Sequence, residues 1–171
     1  MSELDQLLEQ NRKWATSKEE ADSEYFDRLA AGQSPDIFWL GCSDSRVPPA
    51  EILGLEAGDI FVHRNIANLV LGSDVNFLST LQYAVQGLEV RHIIVCGHQG
   101  CGGVKGALES SRMDYVDNWI QEIKQIKDSH QEELSKLSPV EQANRLSELN
   151  VQNQVQKLAD TNIVQEAWNN G

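Results

Sequence analysis

An α/β fold with a mostly parallel sheet is predicted by three observations. Three short β-rich runs each end in a loop of small and polar residues: Asp36-Ile37-Phe38-Trp39-Leu40, Asp59-Ile60-Phe61-Val62-His63 and His92-Ile93-Ile94-Val95-Cys96. Each run is continuously apolar rather than alternating, the pattern of parallel strands covered on both faces. Helical periodicity fills the intervals between and after them, which makes the middle of the chain an α/β unit.

The elements follow in chain order. The first 30 or so residues are helical, with Leu4, Leu7, Leu8 and Trp14 as an apolar stripe and Gly32 as the stop. Such an arm either folds back on its own core or lies across a partner subunit. Residues 74–87 form a helix with Val75, Leu78, Leu81, Tyr83 and Val85 as its apolar positions and Gly87 closing it. From Met113 onward the chain is polar and helical, with Val116, Ile120, Ile123 and Ile126 on one face. Ser138-Pro139-Val140-Glu141 then starts another helix: a capping serine, a proline in the first turn and a glutamate three residues after the serine. Leu146, Leu149, Val155 and Leu158 continue its apolar face, and a last short helix covers about Ile163 to Trp168. The expected organisation is one structural domain: a helical arm over 1–34, then an α/β core with C-terminal helices over 35–171.

Length and charge exclude several classes. The 171 residues, 40% of them hydrophobic, are enough for a real core without disulfides or a structural metal. Fourteen Lys and Arg against 26 Asp and Glu leave a net charge of -12 and a pI near 4.6. A surface that acidic repels phosphate backbones and anionic lipid, so no nucleic-acid or membrane partner is expected. The N-terminus is too polar for a signal peptide, and no apolar run approaches the roughly 18 residues of a membrane span. Cys42, Cys96 and Cys101 form no secreted disulfide framework, and the expected location is a reducing, cytoplasmic one.

Two clusters carry chemistry. Gly41-Cys42-Ser43-Asp44-Ser45-Arg46 follows the first strand, and Gly97-His98-Gln99-Gly100-Cys101-Gly102-Gly103 follows the third. Together they offer Cys42, Asp44, His98 and Cys101, a ligand set suited to tetrahedral zinc, and soft thiolates with imidazole favour zinc over magnesium or calcium. With strand order 2-1-3, both clusters border the crevice at the carboxyl ends of strands 1 and 3, where open α/β sheets bind ligands. Charge counting gives Asp44 two alternatives. As a fourth ligand it closes the site. Paired with Arg46, it leaves a position open for water, so the motif reads as a switch.

The stretches CSDSRVPPAEI (Cys42 to Ile52), HRNIANLV (His63 to Val70) and GHQGCGGVKGAL (Gly97 to Leu108) closely resemble the β-class carbonic anhydrases, and the resemblance runs to the final VQEAW (Val164 to Trp168). It implies one Zn2+ per chain on Cys42, His98 and Cys101, with Asp44 and Arg46 as a catalytic dyad that also gates the metal. It implies Gln33 and Gly102 as substrate-binding residues, and reversible hydration of carbon dioxide to bicarbonate and a proton, with zinc hydroxide as nucleophile. A homodimer or homotetramer is implied as well. Trp39 and Arg64 match a regulatory bicarbonate pocket of the bacterial, bicarbonate-inhibited subgroup, in which the anion favours Asp44 on zinc. The chain departs from the family pattern after Trp168: the usual C-terminal edge strand is not in the sequence, which leaves the third strand's edge uncovered. The alternative function is therefore a zinc-binding but catalytically inactive module. Thiol redox chemistry is a distant third, since Cys42 and Cys101 form no C-x-x-C pair.

The remaining candidates have plainer readings. Cys96 belongs to core packing, His63 is a structural histidine, and His92 and His130 face solvent. The glycine-rich run after Gly97 lacks the lysine of a phosphate loop, since position 103 is glycine.

Overall fold

The computed structural model describes residues 2–109 and 113–171, which divide into two compact units, 1–34 and 35–171. The first holds two helices. Ser2 and Asp5 close a reciprocal capping box at the start of α1 (Glu3–Ala21). The expected continuous helix breaks at Asp22, whose extended backbone ends α1, and resumes as α2 (Tyr25–Ala31), which stops at Gly32. Trp14 and Phe26 meet edge to face at 5.8 Å and hold the two helices together. No residue of either helix is buried, and Leu4, Leu7, Leu8 and Trp14 stay about half exposed or more.

The second unit is built on a three-stranded parallel sheet in the order β2-β1-β3, as the sequence implies. β1 (Ile37–Cys42) pairs on one side with β2 (Ile60–Asn65), Ile37 opposite Ile60, and on the other with β3 (His92–Cys96), Ile37 opposite His92. Only the central strand is buried along nearly its whole length. Both outer strands are half-buried, and Val62 is 38% exposed, so the expectation of coverage on both faces holds for β1 alone. A continuous apolar run reports how much a strand can bury, not whether a neighbour exists to cover it.

The connections carry features the periodicity did not signal. Pro49 opens a short helix, α3 (Pro49–Leu53), ended by Gly54 in the left-handed region. β2 runs into a tight turn over Ile66–Asn68. Asp74 caps α4 (Val75–Gln82), after which Tyr83–Gly87 widens into a π turn, with the Leu88 N–H donating to the Tyr83 carbonyl. The helix expected over 74–87 is thus regular only to Gln82. After β3 come α5 (Gly102–Leu108), α6 (Asp114–Trp119), α7 (Gln121–Ser129), α8 (Gln131–Leu134), α9 (Pro139–Ala159) and α10 (Asn162–Asn170). The capping box at Ser138 and Glu141 forms as its spacing requires.

Burial of apolar side chains gathers into two cores. Phe38, Leu40, Val70, Phe77, Leu81 and Leu158 pack beneath the sheet. Cys42, Ala67, Cys101, Val104, Ile120, Ile123 and Leu146 pack at its carboxyl end. α9 contributes to both, through Leu146 and Leu149 to one and Leu158 to the other. Its length therefore fixes the carboxyl-end loops to the body of the sheet.

Candidate metal centre

Three elements deliver three ligand atoms to one point. Cys42 is the last residue of β1, Cys101 stands at the N-terminus of α5, and His98 lies in the loop between β3 and α5. The sulfurs of Cys42 and Cys101 are 3.9 Å apart, and these two with a ring nitrogen of His98 all lie within 4.8 Å of one another. Two zinc–sulfur bonds of about 2.3 Å at the tetrahedral angle would separate their sulfurs by roughly 3.8 Å. The loop makes its turn at Gly100, whose φ of +68° lies in the region that favours glycine.

The protons in the cluster are arranged for a cation. His98 Nδ1 lies 3.0 Å from the Gln99 carbonyl oxygen, which can only accept, so Nδ1 carries the hydrogen. That leaves the lone pair on Nε2, which is buried and has no hydrogen-bond partner among the described residues. The hydrogen bond with Cys101, aided by the Ala67 amide, pulls the Cys42 thiol down to about 5. The Cys42 partner and burial push Cys101 up. A dication between the sulfurs would hold both as thiolates, as coordination deprotonates a thiol. Two soft sulfurs and an orphaned imidazole nitrogen fit zinc.

The Asp44 carboxylate lies beside this cluster and faces Arg46. Its Oδ1 accepts from the Arg46 amide at 3.0 Å and from Nε at 2.8 Å, and its Oδ2 accepts from Nη2 at 2.7 Å. Arg46 Nη2 also donates to the Gly100 carbonyl at 3.2 Å, tying the two sequence clusters together. The guanidinium holds the Asp44 carboxyl well below the usual carboxylate range. Oδ2 is 3.8 Å from His98 Nε2. Asp44 is thus a neighbour of the three-residue cluster, in the Arg46-paired one of the two arrangements the sequence leaves open.

The other sequence candidates are distributed as follows. Arg64 donates from Nε to the Cys42 carbonyl at 2.8 Å and from Nη2 to the Asp44 carbonyl. Trp39 shares the sheet face of Gly41 and Arg64; its indole lies so close over Gly41 that a Cβ there would fall 2.2 Å from Nε1. The Trp39 N–H is buried without a partner. Gly102 is exposed at the first turn of α5 with open space beside it, and Gln33 is exposed in the first unit. Cys96, expected as core, is only half-buried; its thiol donates to the Gly97 carbonyl and its strand is an edge strand. His130, expected to face solvent, is half-buried with Nδ1 on the Ile126 carbonyl at 2.9 Å, because it ends α7 and its ring folds back over the last turn. His92 is exposed as expected.

Ala67 and Asn68, beside the sulfurs, were not singled out from the sequence. Both adopt positive φ, +62° and +51°, and the Ala67 N–H donates to Cys42 Sγ at 3.4 Å. No glycine marks this turn. The one available signal was an asparagine, which tolerates the left-handed region better than most residues.

Comparison with known proteins bears on the same residues. The sequence profile of the family described as Carbonic anhydrase matches residues 37–171. A curated carbonic anhydrase of Emericella nidulans is 46% identical over 165 residues, covering 96% of this chain and 72% of that protein. Among solved structures, one from a study of two tetrameric β-carbonic anhydrases of Sordaria macrospora superposes with a TM-score of 0.93 at 41% identity, over 96% of this chain and 84% of its own. A Coccomyxa β-carbonic anhydrase in complex with acetazolamide gives 0.95 at 39% identity, over 100% of this chain and 78% of its own.

Proposed function

The chain belongs to the β-class carbonic anhydrase family, and from that membership we propose that it catalyses reversible, zinc-dependent hydration of carbon dioxide at the Cys42–His98–Cys101 cluster. The observation that carries the reading is the convergence of two sulfurs and an orphaned imidazole nitrogen on one point. Zinc, when bound, supplies a Lewis acid that lowers the pKa of a coordinated water toward neutrality and so provides a hydroxide nucleophile.

The protein's own groups have the remaining work. Cys42, His98 and Cys101 would hold the ion. Asp44, kept ionised by Arg46, has Oδ2 3.8 Å from His98 Nε2, where it would serve as the hydrogen-bond acceptor that orients the nucleophile. Arg46 keeps Asp44 off the ion, and exchange of Asp44 from Arg46 to the metal would close the site. Gln33 and Gly102 are assigned to substrate binding on the family resemblance. Arg64 and Trp39 would form a regulatory bicarbonate pocket: a guanidinium and an unpartnered indole N–H share one sheet face, and Arg64 already grips the carbonyls of Cys42 and Asp44. The curated and solved relatives described above include fungal proteins, so this regulation, drawn from a bacterial subgroup, is the finer part of the proposal. Its test is the pH–rate profile of Trp39→Ala and Arg64→Ala, whose steepness must fall.

We also assign this chain to a homo-oligomer, with the exposed apolar stripe of α1 available for self-association. Among the described residues, no helix is long and apolar enough to cross a membrane. Metal analysis with stopped-flow hydration on purified protein tests the function: one zinc per chain with turnover supports it. Zinc without turnover favours the inactive module, and Cys42 and Cys101 titrating as free thiols without zinc overturns it.

A further inference from the structure

Ala67 is wholly buried, is not glycine, and sits at φ +62°. A left-handed alanine persists only where its surroundings over-determine it, and here the surroundings can be named. The two peptide groups that flank the Ala67 Cα are each held from outside the loop. Trp119, at the end of α6, donates its indole N–H to the Ile66 carbonyl at 2.8 Å. Asn150, in the middle of α9 and itself buried, donates from Nδ2 to the Ala67 carbonyl at 3.0 Å. Gln154 supports Asn150: its Nε2 donates to Asn150 Oδ1 at 3.0 Å, and its Oε1 accepts the Val70 amide at 2.8 Å.

The Ile66 carbonyl and the Ala67 N–H belong to one peptide group. Trp119 therefore donates into the same amide that donates to Cys42 Sγ. A hydrogen bond accepted at a carbonyl polarises its peptide and strengthens the N–H at the other end. Asn150 fixes the next peptide, so the pair restrains the backbone on both sides of Ala67. α5 closes the remaining side: a Cβ at Gly103 would lie 3.0 Å from the Ala67 Cβ.

We propose that Trp119 and Asn150 are positioning residues of the metal centre, which aim the Ala67 amide at the Cys42 sulfur and so set how tightly the site holds zinc. The inference rests on Cys42 being a zinc ligand. Outer partners of metal ligands commonly change metal affinity by 10–100-fold when removed.

Two variants test it. Trp119→Phe keeps an aromatic ring, smaller than the indole, and deletes the N–H, and Asn150→Leu keeps the bulk and deletes the donor. Each is measured twice: zinc affinity by competition with a chelator, and amide exchange at Ala67 in metal-free protein. The expected results are zinc binding weakened by about 10-fold or more, and faster exchange at Ala67 with the β1 amides unchanged. In the Asn150→Leu background, Ala67→Gly should recover part of the affinity, because glycine adopts the left-handed conformation without strain. Unchanged affinity in both variants overturns the proposal, as does accelerated exchange spread evenly over the protein, the mark of a merely structural role. If Asn150→Leu does not fold, the two measurements on Trp119→Phe decide. Wild-type protein that binds no zinc overturns the zinc reading; wild-type that binds zinc, with variants that bind it equally well, overturns this inference alone.

Discussion

Asp44 and Arg46 stand two residues apart on a loop where the Arg46 side chain is 66% exposed, whereas Ala67 is fully buried and held by side chains 52 and 83 positions away in the sequence, Trp119 and Asn150. Both border the same sulfurs. The first is a local pair whose guanidinium is largely in water and whose carboxylate is half-buried, so its geometry can exchange without opening the core. The second joins a half-buried Trp119 to the buried Asn150–Ala67–Gln154 contacts, and in that buried part an unpaired polar group costs much more than a made bond returns. The site thus has a rim suited to movement and a floor suited to staying still.

Cys42 belongs to both regions, and its loss has the largest expected effect. Cys42→Ser should lose zinc and turnover together, read by metal content and stopped-flow hydration. Retained activity would dissolve the comparison, since neither region would then have a metal to serve. The next largest effect isolates the rim. Arg46→Ala frees Asp44 and should lower kcat by about 100-fold or more, the scale of a lost positioned acid or base, while the chemical unfolding midpoint stays near that of the wild type. Full activity in Arg46→Ala would contradict the dyad.

The floor should respond in the opposite sense. Gln154→Leu leaves the Val70 amide without its acceptor and should cost about 1–3 kcal/mol of stability in urea unfolding, with the circular dichroism of the folded protein unchanged. A stability loss at Arg46 larger than at Gln154 would reverse the distinction between rim and floor.

The smallest effect is a pH dependence set by a buried histidine of β2. His63 lies in the lower core with its ring edge to Phe77 at 5.4 Å and its Nε2 unpartnered, and burial pushes its imidazole below the ordinary value, against a weaker pull from Asp74. The unfolded chain then binds the proton more readily than the folded one. The His63 contribution to stability is therefore fully present above about pH 6.5 and declines as pH falls through the depressed folded value, by at most about 1.4 kcal/mol per pH unit. Unfolding of His63→Phe between pH 5 and 7 should show a shallower slope than wild type. Asp44 has the same sign at lower pH: its pairing is intact at neutrality and is lost only in acid below the usual carboxylate range.

Strand positions were legible because an apolar run of five is a statement about burial that any sheet must satisfy, and β1 and β3 fall where Phe38–Leu40 and Ile93–Val95 demand. The α9 start was legible because a capping box is written in four consecutive residues. The chemistry-bearing side chains stood out because Cys42 to Arg46 and His98 to Cys101 are short, dense clusters. The break at Asp22, the π turn at Tyr83 and the half-exposure of Cys96 were not legible. Each depends on what lies against the segment rather than on the segment itself.

By itself, then, the sequence determined the fold class, the strand order and the two short clusters that supply the candidate metal centre, since local burial patterns and short motifs are properties of neighbouring residues. The tertiary structure alone decided that Asp44 pairs with Arg46 through both carboxylate oxygens, that Nε2 is the free nitrogen of His98, and that an alanine stands left-handed with its amide on a sulfur. The first two are each contacts within a loop whose shape the packing around it selects, and the third depends on hydrogen bonds between residues tens of positions apart. Such partners become neighbours only after the chain has closed around them.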